Sequence, residues 1–326
     1  MRAMKIDVHA HLMDMDYLNA LVTQMGLSVS RDSTTGQTFL RQGNATVAWF
    51  RDEHFDPEER VRKMDRQGVD VRIVSLSSPS IFDWPAREQA VWARRINDTN
   101  ARLRDSHPQR FRGLAVLPMG DVKSALIELE RAIDNLGLLG VAMGSNVGGK
   151  PLNHPDFEEL WAEIDRRRLP VVEHPMQPLG MDHMHEFELP IRVGFIYETT
   201  TALTRMIYAG IFERYPNFPF VAAHTGGSLL TLLERLDNGY RIFPDCRRHI
   251  TRLPSEFAQQ LYYDTCSFYG PAIMSAHAIV GPQRLLWGAD DPFIGADMSH
   301  VTSLPIPDRD KELILGANAA RLFSIN

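Results

Sequence analysis

The chain has 326 residues, a little over twice a typical domain of about 150, so one large or two modest domains are allowed. Hydrophobic residues make up 44% and charged residues 23%, which excludes disordered and fibrous architectures. The net charge is -6 with no concentrated basic block, which argues against a nucleic-acid partner, and no stretch approaches the ~18 apolar residues of a membrane span.

The opening residues, Met1 to Asp7, become charged before an apolar signal region can form, so the expected location is cytoplasmic. Short runs rich in β-branched residues then alternate with segments of helical periodicity along the chain. The strands are expected at 5–8, 71–76, 113–117, 140–143, 170–173, 218–222, 261–264 and 285–287. Between them the periodicity predicts helices at 85–105, 122–136, 155–167, 199–214, 228–240 and 271–280. Several strands are nearly apolar on both faces, as parallel strands covered by helices are. Eight such units predict a single α/β domain over 1–326, a closed (β/α)8 TIM barrel. An open doubly wound sheet is the alternative, but it ordinarily carries a glycine-rich phosphate loop after its first strand, where this chain has His9-Ala10-His11-Leu12-Met13. Surplus length lies in an insertion at 14–57 and in a proline- and glycine-punctuated loop at 177–197, both on the rim where barrel enzymes place their sites. Cys246 and Cys266 fit no metal spacing and are expected to be free thiols.

The chemistry-bearing residues fall at strand ends. His9 and His11 are two apart, so both would face the barrel mouth from the first strand. His174 ends the fifth run, His224 the sixth and Asp290 the eighth. Parallel strand ends gather on one face, and a mixture of imidazole nitrogens and a carboxylate oxygen suits a borderline divalent ion with one position left open.

The segments Ile6-Asp7-Val8-His9-Ala10-His11, His174-Pro175, His224-Thr225-Gly226-Gly227 and Trp287-Gly288-Ala289-Asp290-Asp291-Pro292-Phe293 resemble the amidohydrolase superfamily. The narrower resemblance is to the branch containing aminocarboxymuconate-semialdehyde decarboxylase and related aromatic-acid decarboxylases. It runs from about Met4 to Leu322 and includes Asp56-Pro57-Glu58, Arg110-Phe111 and the segment from Gly210 to Pro216. The resemblance implies one metal, usually zinc (Zn2+) and sometimes manganese (Mn2+), held by His9, His11, His174 and Asp290, with His224 as the neighbouring acid/base. Binuclear relatives commonly use a carboxylated lysine at a strand end, and none of Lys5, Lys63, Lys123, Lys150 and Lys311 ends a predicted strand.

The activity so implied is metal-dependent, non-oxidative decarboxylation of a small cyclic, hydroxylated aromatic or N-heteroaromatic carboxylic acid. The metal would bind carboxylate and ortho oxygen together while Asp290 or His224 protonates the ring carbon. A hydrolase of an amide, ester or lactone on the same fold is the second reading, and a metal-binding protein without turnover the third. The branch's substrate-carboxylate arginine falls at Ala48 here, with Arg51 three residues later; its pocket aromatic falls at Ile191, and Met176 replaces a tryptophan. Arg235 matches an arginine that reaches the neighbouring subunit's pocket, which implies a homodimer or a dimer-based oligomer. Arg51, Arg235 and Phe293 are therefore the expected substrate contacts.

Other residues are expected to be structural. His183 and His185 form a second H-x-H pair in a loop with no strand to aim it. Trp49, Phe50 and Phe55 are expected to form a small private core of the insertion. His54, His107 and His154 lie in loops or at helix starts, and Asp291 is expected to cap the turn at Pro292. Asp7 alternates away from the mouth, towards a loop or a neighbouring strand. Glu173, beside inward-facing His174, points toward the helices, where a carboxylate needs a partner that the sequence does not reveal.

Overall fold

A computed structural model describes residues 3–326 apart from 179, 181, 182 and 185. Met181, Asp182 and His185 of the second H-x-H segment therefore lie outside the described residues. Eight parallel strands form the centre: β1 (Ile6–His11), β2 (Val71–Ser75), β3 (Phe111–Gly113, resumed at Ala115–Val116), β4 (Val141–Gly144), β5 (Val171–His174), β6 (Phe220–Ala222), β7 (Tyr262–Asp264) and β8 (Leu285–Leu286). Each pairs with the next in chain order. The ring closes where Val8 N donates to Trp287 O at 3.0 Å and Ala10 forms a parallel bridge with Asp291.

Alternation along the strands sorts their side chains. Ile6, Val8, Val71, Ile73, Leu114, Ala142, Val172, Val221 and Leu286 form one buried cluster, the barrel interior, which Phe323 and Ile325 join. Their sequence neighbours Val74, Val141, Val171, Phe220, Tyr263 and Leu285 join the larger core beneath the helices. The register of β1 against β2 slips between Asp7 and Ala10. This bulge switches the alternation, so Ile6 and Val8 fill the interior below while His9 and His11 face the same interior above them.

The helical cover includes Ala86–Ser106, Val122–Glu130, Glu158–Arg167, Leu233–Ile242 and Gly270–Val280. Two differences from the sequence expectation matter. The 177–197 segment is not a loop throughout: Pro190–Gly194 forms a wide turn running directly into the helix Phe195–Tyr208. Pro190 sits in the first turn, where its missing N–H is no loss. The expected helix 199–214 also breaks at Gly210, whose φ of +70° suits glycine and whose missing Cβ leaves room for the His249 carbonyl.

The first insertion builds a helix, Met15–Met25, and an antiparallel sheet of Ser28–Arg31, Thr38–Gln42 and Ala45–Phe50. Asp14 caps the helix by accepting Tyr17 N–H at 2.8 Å. No helix among the described residues is long and apolar enough to cross a membrane. Cys246 and Cys266 are free.

Candidate active site

His9, His11 and His174 bring one ligand atom each to within 4.8 Å of one another. Asp290 completes the group, its Oδ1 3.3 Å from His11 Nε2 and 3.8 Å from His9 Nε2. His224 stands beside them, its ring centroid 5.1 Å from that of His9 and 5.6 Å from that of His174. His224 and Asp290 both adopt φ of +52°, a left-handed conformation uncommon outside glycine, and they follow strands that end two and four residues earlier. That backbone turn aims both side chains over the barrel instead of along it.

The donor set fits a divalent cation. Among the described residues, His9 Nε2 and both ring nitrogens of His11 are buried with no hydrogen-bond partner. Leaving such atoms unsatisfied is costly, and a shared cation relieves several at once. Burial pushes His11 and His174 below the ordinary imidazole range, which favours the neutral, ligating form. Burial alone would raise Asp290, yet the imidazoles of His11 and His9 beside it hold the carboxyl down to about 2.

The sequence reading missed Asp264, which organises this cluster from the end of β7. His9 Nδ1 donates to Asp264 Oδ2 at 2.6 Å. Asp264 Oδ1 accepts the N–H groups of Thr225 at 3.0 Å and Cys266 at 2.9 Å. A carboxylate behind a ligating imidazole fixes its ring and tautomer and presents Nε2 to the ion. Burial would push His9 down, but the Asp264 carboxylate carries it up to about 9. The approach is close: a Cβ on Gly288 would stand 2.8 Å from His9 Cβ and 2.6 Å from Cys266 Sγ. The available signal was parity, since Asp264 shares the inward face of its strand with partly buried Tyr262, which packs on the interior cluster.

Three other buried acids brace the floor. Glu173 accepts Thr199 Oγ1–H at 2.9 Å and the Ala223 N–H at 3.3 Å, tying β5 to a covering helix and to the turn that carries His224. Burial pushes its carboxyl up to about 8. Asp7 accepts the N–H groups of His9 at 3.1 Å and Ala289 at 2.9 Å and pairs with Arg72. Asp291 does not serve as the cap of the Pro292 turn: its carboxylate is enclosed by Lys63 at 2.7 Å, Arg60 at 3.0 Å and Arg72 at 3.1 Å. The backbone on either side of Asp290 is thereby fixed.

Above the cluster opens a cavity of about 700 Å³ lined by His174, His224 and Asp290 together with Trp49, Phe195 and Phe293. The Phe293 ring lies tilted 5.4 Å from the His11 ring and edge-on 5.9 Å from Trp49. Trp49 thus lines the cavity, whereas Phe50 and Phe55 pack on each other at 5.3 Å within the insertion. Ala48 and Ile191 are also on the lining. The structure does not bring Arg51 there, because its side chain turns toward Glu53, 3.6 Å away. Arg235 is exposed on the helix Leu233–Ile242 and does not line the cavity of its own chain. His183 is exposed, Tyr197 is 54% exposed, and His154 caps a short turn through Asp156 N–H.

A family model described as amidohydrolase matches residues 6–325. The 2-amino-3-carboxymuconate-6-semialdehyde decarboxylase of Dictyostelium discoideum is 29% identical, over 100% of this chain and 93% of its own length. The gamma-resorcylate decarboxylase of Rhodococcus jostii (strain RHA1) is 28% identical, over 82% and 87% respectively. Among solved structures, a dihydroxybenzoic acid decarboxylase from Polaromonas sp. JS666, with bound manganese and the inhibitor 2-nitroresorcinol, shares the fold with a TM-score of 0.81. It is 23% identical and the match covers 99% of this chain and 97% of that one.

Proposed function

The chain belongs to the amidohydrolase family, and from that premise we propose that it is a metal-dependent, non-oxidative decarboxylase of a cyclic, hydroxylated aromatic or N-heteroaromatic carboxylic acid. The observation that carries this reading is the convergence of three imidazoles and one carboxylate, with His224 beside them, beneath an aromatic-walled cavity. The relatives whose names describe loss of carbon dioxide from unsaturated or aromatic acids support it.

In this reading His9, His11, His174 and Asp290 hold one divalent ion; we favour zinc, with manganese, as in the Polaromonas relative, also suited to these donors. When bound, the ion supplies a Lewis acid for the substrate's carboxylate and ortho oxygen. Phe293 and Trp49 confine the ring from the rim side, and Phe195, 5.8 Å from His174, bounds it toward the floor. His224, which faces the same cavity as the Asp290 carboxylate, hands to the ring carbon the proton that replaces carbon dioxide. A C–H bond forms at the ring carbon with a π pair of the ring, the bond to the carboxyl carbon then breaks and returns its electron pair to the ring as carbon dioxide leaves, and His224 is reprotonated from solvent. The aromatic walls keep bulk water from that carbon.

Arg235 enters through a second copy of the chain. The helix that carries it ends at Ile242 and Phe243, 64% and 58% exposed, an apolar edge suited to burial in a homodimer.

Metal-loaded protein incubated with hydroxybenzoates, hydroxypicolinates and muconate semialdehydes is expected to release carbon dioxide from at least one. His224→Ala is expected to keep metal affinity and lose turnover by at least ~10²-fold. Amide or lactone hydrolysis without carbon dioxide release would replace this reading with that of a hydrolase, and inertness toward every substrate with that of a metal-binding protein.

A further inference from the structure

We propose that Arg192 determines the specificity of this cavity by binding a second anionic group on the substrate, so that the preferred acid carries another carboxylate or comparable anion on the side of the ring away from the metal ligands. The inference rests on the decarboxylase reading of the same cavity and names its substrate class more narrowly.

Size is the first argument. About 700 Å³ is far more than a single hydroxybenzoate ring fills and lies within the ~300–1,000 Å³ of pockets that enclose drug-sized ligands. The cavity therefore has room for a substituent beyond the ring and its reacting carboxylate.

Composition is the second. The upper wall is largely apolar, with Phe39, Ile191, Phe268 and Ile294 among its residues, and Arg192 is the one lysine or arginine among the described residues that line it. Its position follows from the turn Pro190–Gly194, which runs into the helix beginning at Phe195. The Phe195 ring lies 5.8 Å from His174 and 6.4 Å from His224. Arg192 stands three residues before it in continuous helical backbone and lines the same cavity.

The third argument is that, among the described residues, Arg192 has no carboxylate partner where the sequence supplies one. Glu188 is four residues earlier, and its carbonyl accepts the Arg192 N–H at 3.0 Å, a spacing at which glutamate and arginine commonly pair. The Glu188 carboxylate is instead turned to the rim hairpin, where Oε1 accepts the Thr46 hydroxyl at 2.9 Å and Oε2 the Thr46 N–H at 3.2 Å. Asp290, the other acid on the lining, faces the imidazoles on the floor. Among the described residues no carboxylate lies within 4.0 Å of the Arg192 guanidinium. Arg192 is an exposed residue of the lining, and its planar fork of donors suits a carboxylate, which it can grip with two parallel hydrogen bonds.

The test compares 2-hydroxybenzoate with 2-hydroxyterephthalate, which adds a carboxylate opposite the first. Calorimetric affinity for the metal-loaded protein is measured alongside carbon dioxide release. The wild type is expected to favour the diacid ~10- to 100-fold in affinity, and by a similar factor in kcat/KM carried mainly by KM. Arg192→Met is expected to bring the ratio of the two acids close to one, and Arg192→Lys to restore part of it. Equal binding of the two acids by the wild type, or an equal loss for both in Arg192→Met, would overturn the role of Arg192. Diacid-selective binding that depends on Arg192 with no carbon dioxide released from either acid would uphold that role and overturn the decarboxylase reading instead.

Discussion

The floor of the cavity and its outer wall are built by opposite means. On the floor each acid has several partners from distant parts of the chain: Asp264 holds one imidazole and two backbone N–H groups, and Asp291 holds three cations. The wall is tied to the rim hairpin by the carboxylate of Glu188 on Thr46, and its neighbourhood leaves Phe187 83%, Tyr269 64% and Ile294 52% exposed. Groups that must meet an ion within tenths of an ångström stand on strand ends cross-braced in the barrel. The residues facing the rest of the substrate stand on segments that can change without disturbing it.

If that contrast is right, the largest effects come from the floor's bracing. Asp291→Asn leaves Arg60, Arg72 and Lys63 around a neutral amide, with both arginines buried. The expected cost is about 3–5 kcal/mol, read as a lowered midpoint in chemical denaturation. A variant as stable as the wild type would mean that Asp7, which also pairs with Arg72, compensates and that the floor is less dependent on this cluster. Asp264→Asn acts on the ion instead of the fold. Its amide can still accept from Thr225 and Cys266, but it no longer orients His9 with a full charge, and metal affinity is expected to fall ~10- to 100-fold. Competition with a chromophoric chelator measures this, and an unchanged dissociation constant would remove Asp264 from the site's design.

The same contrast explains what could be read in the sequence. The eight strands were legible because β-branched runs buried on both faces are rare outside parallel sheets, and the strand-end histidines were legible because barrel topology gathers such ends. Asp264 was obscured by context: it ends the run 261–264 directly after two tyrosines and matters only beside His9, 255 residues away. Arg72 reads as an interruption of an apolar strand and Arg60 and Lys63 as one charged helix face, so nothing local announced that all three enclose Asp291. The wall was least legible. Pro190 and Gly194 are loop residues by composition, yet they fall inside continuous helical backbone, and that continuity puts Arg192 and Phe195 on the same side of the cavity. The bulge in β1 was hidden too: two-residue alternation correctly pairs His9 with His11 but does not reveal that Ile6 and Val8 face the same interior.

The smallest expected effect tests whether the rim loosens independently of the floor. His54 is buried in the short turn Asp52–Phe55, where its Nδ1 accepts the Arg51 N–H at 3.3 Å and its ring lies 5.6 Å from Trp49. Burial, reinforced by the charges of Lys63 and Arg60 and opposed by Asp291 and Glu53, pushes it down from 6.5 to about 4. A histidine depressed by folding binds more protons unfolded than folded between those values. Its contribution is therefore full above about 6.5 and is lost as pH falls through about 4. Between pH 8 and pH 6 the loss is a little under ~1 kcal/mol, and His54→Gln should flatten that part of the stability profile. Hydrogen exchange can locate the change. Amides of the hairpin at 38–50 should lose protection on mild acidification before those of β5 to β7 do, since protonating His54 strains the packing beneath Trp49 and leaves the Asp264 bonds intact. Simultaneous loss in both regions would show that floor and wall open as one unit, and the division of labour between them would then lie in chemistry alone and not in stability.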